Sequence, residues 1–153
     1  MTTKSEFNAE EWERIAQAPA YAALMVILAD RGGSIRESIA LGKAYAAARR
    51  DGGDELIEAL VSSPPSLNPS EMGRPDELRT QLPERIAQAV RTVEEKATPD
   101  ELQHYRDFIL RVADTVAHAH KEGGVLGIGG KEVSEEEQAA LDELAATIGA
   151  PAR

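Results

Sequence analysis

The sequence predicts an all-α fold, a compact bundle of about six or seven helices in one domain spanning 1–153. Three observations support this prediction. Apolar residues recur at intervals of three and four positions, as on the buried face of an amphipathic helix. A small polar residue with glutamate three positions later, which is typical of a helix start, is found repeatedly. No strand pattern competes, because Val125, Leu126 and Ile128 are too few and are interrupted by glycine.

The predicted helix starts share one physical device. The first side chain accepts a hydrogen bond from a free amide of the first turn, and the glutamate reaches back to the amide of the first residue. In one of them Pro99 takes the first helical position, where its missing N–H costs nothing. The pairs are Asn8/Glu11, Ser34/Glu37, Thr98/Glu101 and Ser134/Glu137.

The N-terminal half is predicted to contain helices at about 9–17, 19–31, 35–50 and 54–61. Pro19 is predicted to open the second helix rather than continue the first, and Gly32 and Gly33 to stop it. A proline-rich connection follows at 62–75, and its four prolines exclude regular structure there.

The C-terminal half is predicted to contain helices at about 76–96, 100–121 and 135–148. Pro83 is expected to interrupt or kink the first of them. The second should be the longest, and Gly149 should stop the last. One stripe of the long helix is predicted to be buried: Leu102, Tyr105, Ile109, Val112, Val116 and Ala119.

Composition and charge exclude several classes of protein. The net charge is −10 and the basic residues are scattered, which argues against nucleic-acid binding. Cysteine is absent from the sequence, which excludes disulfides, thiolate zinc sites and cysteine nucleophiles. The longest apolar stretch, 20–29, is far shorter than the ~20 residues of a membrane span, and 1–11 has no signal-peptide pattern. We therefore expect a cytoplasmic protein without a membrane span.

The glycine-rich segment 123–130 lies between the last two predicted helices. A Walker phosphate loop ending at Lys131 would need glycine at Val125 and a hydroxyl at Glu132, so the phosphate-loop interpretation fails. A structural loop is the simpler interpretation. A ligand pocket under the segment stays open as an alternative, with a ligand or partner surface made by His118, His120 and Lys131.

The same series of sequence features occurs twice in the chain: a helix, an acidic residue near a glycine turn, and a Ser-x-x-Glu helix start. The first set is Asp30, Gly32, Ser34 and Glu37, and the second is Glu122, Gly123, Ser134 and Glu137. Two interpretations are open. The chain contains two pseudo-repeated helical hairpins, or the match is fortuitous because every helical hairpin needs a stop and a cap.

This order resembles the TerB-like (tellurite-resistance) helical family, whose turns read Ala-Asp-Gly before a Ser-x-x-Glu start. Here Arg31 intervenes in the first turn, Glu122 stands in place of aspartate in the second, and 123–130 is inserted. The resemblance implies a stress-response or envelope-linked context and divalent-cation binding through acidic turn residues, and it does not imply an enzyme. The metal ligands that it implies are Asp30, Glu37, Glu122 and Glu137.

Three hypotheses about function follow. The first is a non-enzymatic helical module that binds protein partners and a divalent cation. The second is a small-ligand binder or enzyme with a pocket under 123–130. The third is a purely structural, homo-oligomeric domain, which the alanine-rich helices and the 4% aromatic content suggest. No residue is assigned a catalytic role, because no nucleophile and base stand out in the sequence.

Overall fold

The computed structural model describes residues 4–29, 35–51, 55–62, 75–122 and 135–149. Within these ranges the chain forms one 3-10 turn, Lys4–Glu6, and six α-helices, with no strand. The helices are α1 (Ala9–Ala29), α2 (Ile35–Asp51), α3 (Glu55–Ser62), α4 (Pro75–Lys96), α5 (Pro99–Glu122) and α6 (Glu135–Ile148). The predicted all-α bundle is confirmed.

Helices α1 and α5 form the centre of the bundle. α1 packs mainly against α4 and α5, and α2 packs mainly against α5. α3 rests on α2 and α5, while α6 covers α1, α4 and α5. The core is built largely from alanine and branched aliphatic side chains, with Tyr105 as its largest fully buried residue. Small side chains let the helices approach closely.

The N-terminus of α1 is held by a complete capping box. The Asn8 side chain accepts from the Glu11 amide at 2.8 Å, and the Glu11 carboxylate accepts from the Asn8 amide at 2.9 Å. Phe7 and Trp12 flank the box with ring centroids 6.1 Å apart, the arrangement of a hydrophobic staple. Lys96, at the end of α4, donates to Glu11 at 2.8 Å and so joins the two helix ends.

The sequence signals of α5 and α6 are confirmed where the structure describes them. The Thr98/Glu101 box forms reciprocally, at 3.2 and 3.1 Å. The predicted stripe of α5 is buried from Leu102 to Val116. Gly149 stops α6 with a φ of 74°, a left-handed conformation that favours glycine.

The prediction that Pro19 separates two helices is wrong. α1 continues through Pro19, which is buried inside it. A proline in a helix leaves the carbonyl four residues earlier without its amide donor. Here that carbonyl belongs to Ile15, and the Tyr105 hydroxyl donates to it at 2.8 Å. A side chain from α5 therefore supplies the missing hydrogen bond. α4 likewise continues through Pro83, so the helix is not interrupted there, and the alternative of a kink stays a prediction.

Arginines from neighbouring helices lie at the C-terminal ends of two helices that have no basic residue in their own last turn. α3 and α6 both lack a basic residue in the last turn. Arg49 of α2 donates to the Val61 carbonyl of α3 at 2.6 Å. Arg106 of α5 lies beside Gly149, since a Cβ there would be 3.5 Å from its guanidinium. Both cations sit where the helix dipole is negative.

Several sequence predictions lie outside the described residues. They concern the Gly32-Gly33 turn, the caps Ser34 and Ser134, most of the connection 62–75 and the segment 123–130. Among the described helices, none combines the length and apolar content needed to cross a bilayer.

Candidate functional site

The predicted site residues fall on parts of the chain that the structure leaves undescribed. Asp30 and Lys131 lie outside the described residues. The others are on described helices, but their side chains are not described: Glu37 on α2, His118, His120 and Glu122 on α5, and Glu137 on α6. The predicted metal site and the surface near 123–130 therefore stay predictions. Among the side chains that are described, no three histidines or carboxylates are placed to hold a metal ion.

A groove between α5 and α6 is the concave feature from which a functional site can be built on described side chains. Its volume is about 470 Å³. Each helix contributes four residues, which include both apolar and polar types. They are Asp107, Leu110, Arg111 and Asp114 from α5, and Gln138, Leu141, Asp142 and Ala145 from α6.

The local sequence explains why these side chains line one groove. On both helices the lining residues follow the spacing i, i+3, i+4 and i+7, which places them on a single face. The neighbouring faces carry the fully buried Ile109, Val112 and Leu144, which hold the two helices against the core. Leu110 and Leu141 pack against that core but remain partly exposed. They form the apolar floor of the groove.

The polar edges of the groove are partly held in place by neighbours. Gln103 donates to Asp107 at 2.9 Å on the α5 edge, and Gln138 donates to Asp142 at 3.0 Å on the α6 edge. Arg111 forms an ion pair with Asp51, the last residue of α2, at 2.5 Å. Each glutamine leaves its carboxylate with further lone pairs, because a carboxylate accepts about four hydrogen bonds.

The groove has an excess of negative charge. Asp107, Asp114 and Asp142 line it, and Asp51 stands behind Arg111, the single cation among the described lining residues. Four carboxylates thus accompany one guanidinium, in a chain whose net charge is −10. The groove can hold an apolar side chain on its floor while its edges attract cationic groups.

Sequence reasoning missed this groove. It gave Leu110 no role, because Leu110 lies off the predicted buried stripe of α5. The signal was present, since Leu110 stands between Asp107 and Asp114 at helical spacing. What the sequence did not show is that a face of α6 lies opposite it.

A second polar feature lies in the core, where two tyrosines are buried. Burial raises the pKa of both the Tyr45 and the Tyr105 hydroxyl well above the usual value. Tyr105 donates to Ile15, whereas the Tyr45 hydroxyl has no hydrogen-bond partner among the described residues. The Tyr45 ring packs edge-on against Phe108, with centroids 5.4 Å apart. These groups are enclosed by the core and contribute to packing.

The chain matches no protein-family model, no curated protein and no solved structure. The resemblance to the TerB-like family therefore stays a prediction from the sequence.

Proposed function

We propose that this protein is a non-enzymatic helical module that binds a basic, amphipathic helix of a partner protein in the α5–α6 groove. The observation that carries the proposal is the apolar floor of Leu110 and Leu141 between edges that bear Asp107, Asp114 and Asp142. An amphipathic helix offers the complementary surface, with apolar side chains along one stripe and lysine or arginine on either side.

The dimensions of the groove support a helical occupant. Its lining runs from position i to position i+7 on each helix, which corresponds to about 10 Å, or two helical turns. A helix placed there would insert two or three apolar anchors at i, i+4 and i+7. Full burial of one leucine side chain is worth roughly 1.5–3 kcal/mol before the costs of association are subtracted. Binding by such a short contact should be weak and reversible.

The charges support a basic occupant. Arg111 is the single cation among the described lining residues, and its ion pair with Asp51 partly neutralises it. The edges therefore attract cations and repel an acidic helix. Because these edges are exposed, and the Debye length is about 8 Å at 0.15 M salt, the attraction should weaken as salt is added.

The test uses three synthetic helical peptides of about five turns. The first carries leucine on one stripe and lysine on both flanks. The second has glutamate in place of each lysine, and the third has serine in place of each leucine. We expect the leucine–lysine peptide alone to bind, and to shift the amide resonances of Leu110 and Leu141 in an ¹⁵N-labelled sample. Equal binding of all three peptides, or no binding of the first, would overturn the proposal.

Paired variants locate the binding. The double variant D107N/D142N removes one carboxylate from each edge. It should lower the affinity for the leucine–lysine peptide about fivefold at low salt. The matched control E94Q/E95Q removes two exposed carboxylates from α4 and should bind like the parent. The same loss in both variants would show a general effect of net charge and contradict binding in the groove.

The divalent-cation site and the stress-response context remain predictions that rest on the sequence and on the family resemblance. Calorimetric titration of metal-stripped protein with calcium, magnesium, zinc and manganese tests the first of them. The absence of both binding heat and a thermal shift would remove it.

A further inference from the structure

The α5 edge of the groove carries its charges in a defined order. Asp107, Arg111 and Asp114 occupy positions i, i+4 and i+7 of one helix face, so negative, positive and negative groups alternate. With a rise of about 1.5 Å per residue, the two aspartates are about 10 Å apart along the axis and the arginine lies between them. The α5 edge therefore presents charges of alternating sign at a defined spacing, in addition to its net negative charge.

The middle charge is held in its place while remaining accessible. Arg111 is tied to Asp51 at the end of α2, yet half of its side chain, 51%, is exposed. Asp107 is oriented in the same way by Gln103. The α6 edge has no comparable order, since Asp142 is the one charged residue among its four lining positions.

We propose that this charge order selects the bound helix, an inference that rests on the proposed function of the groove. Arg111 is the residue that determines the specificity. A helix lying along α5 rises by the same distance per residue, so its own positions i and i+7 match Asp107 and Asp114. The favoured partner then carries basic residues at these two positions and an acidic residue at i+3 or i+4 between them. A basic residue midway would face Arg111, and like charges at this range repel.

Two peptides of identical composition test the inference. Both carry the leucine stripe, with lysines at i and i+7 of the edge that faces α5. In the first peptide the residue midway between these lysines is glutamate, and one residue on the solvent-facing side is lysine. In the second peptide these two residues are exchanged. Length, net charge and apolar content are therefore equal. We expect the peptide with the middle glutamate to bind about fivefold more tightly, as exposed charge pairs allow.

The variant R111Q identifies the residue responsible. Because the middle of the edge then faces carboxylates without the guanidinium, the preference for the middle glutamate should be lost or reversed. The control R91Q, which removes an exposed cation from α4, should keep the parent preference. Circular dichroism confirms that both variants are folded. Equal binding of the two peptides by the parent protein would overturn the charge-order inference and leave the groove proposal standing. A preference for the middle glutamate that survives in R111Q would also overturn it, and no binding of either peptide would overturn both proposals.

Discussion

The hydroxyl of Tyr105 donates a hydrogen bond to the backbone carbonyl of Ile15 over 2.8 Å. In an unbroken helix that carbonyl would accept from the amide of residue 19, which is proline and has none. A residue 90 positions away in the sequence thus completes the hydrogen bonding of α1 at its one internal proline. The central helix of the bundle depends on its neighbour for more than apolar contact.

Replacing Tyr105 by phenylalanine should destabilise the protein by about 1–3 kcal/mol, because the buried Ile15 carbonyl loses its donor. Urea unfolding measures the change, and the denaturant slope should stay the same. The background variant P19A tests the reason, since alanine at that position restores an amide that can reach Ile15. In the P19A background, the loss of unfolding free energy caused by Tyr105→Phe should be about 1 kcal/mol smaller than in the parent protein. An equal loss in both backgrounds would contradict the explanation.

The same substitution at Tyr45 should have the opposite effect on the free energy of unfolding. Its hydroxyl is buried without a hydrogen-bond partner among the described residues, so the folded state gains nothing from it and loses its hydration. We expect Y45F to stabilise the protein by about 1 kcal/mol, with the ring still packed against Phe108. A destabilisation in urea would mean that the hydroxyl has a partner in the native protein.

Stability should fall in alkaline solution because of both buried tyrosines. Burial raises the pKa of Tyr45 and Tyr105 in the folded protein, whereas in the unfolded chain they ionise near pH 10. Their contribution is fully present below pH ~10 and is lost as the pH rises toward the folded pKa, at about 1.4 kcal/mol per pH unit for each tyrosine. Unfolding free energies measured between pH ~9 and pH ~11 test this. The Y45F variant should show a shallower decline than the parent, and an equal slope would contradict the assignment to Tyr45.

Acid should remove the contribution of Glu11. The hydrogen bond from the Asn8 amide and the contact with Lys96 lower the pKa of Glu11 in the folded state. Stability from this group is therefore present above its unfolded pKa and lost as the pH falls through the folded pKa. The variant E11Q should melt at a lower temperature than the parent at pH ~7, and the difference should shrink below pH ~4. The control E84Q, on exposed α4 surface, should follow the parent at both pH values.

Two glycines should respond oppositely to alanine. Gly42 lies exposed inside α2, and a Cβ added there would meet no atom within 4 Å, so G42A should stabilise by roughly 0.5–1 kcal/mol. Gly149 has a φ of 74°, and G149A should destabilise by about 1–2 kcal/mol because a Cβ is strained there. Thermal unfolding of the two variants, measured side by side, compares them directly. A stabilised G149A would show that the α6 stop can relax into another conformation.

Local signals in the sequence predicted much of the fold. The boxes at Asn8/Glu11 and Thr98/Glu101 and the stop at Gly149 involve atoms within four residues of each other, so they can be recognised without a structure. The stripe of α5 is equally local, since its periodicity reflects a single helix. The prediction at Pro19 failed for a complementary reason. The compensating donor lies in another helix, and no local pattern contains it.

The candidate groove has the same dependence on distant residues. Leu110 and its flanking aspartates are visible in the sequence as one face of α5, and Leu141 and Asp142 as one face of α6. That these faces meet depends on how the two helices dock.

The sequence by itself determined the all-α class, most helix boundaries and the buried stripe of α5, because these follow from hydrogen bonds and apolar spacing within one helix. Only the tertiary structure decided that α1 passes through Pro19 and that α5 and α6 enclose an acidic groove. Both depend on contacts between side chains far apart in the chain, which form only when the helices pack.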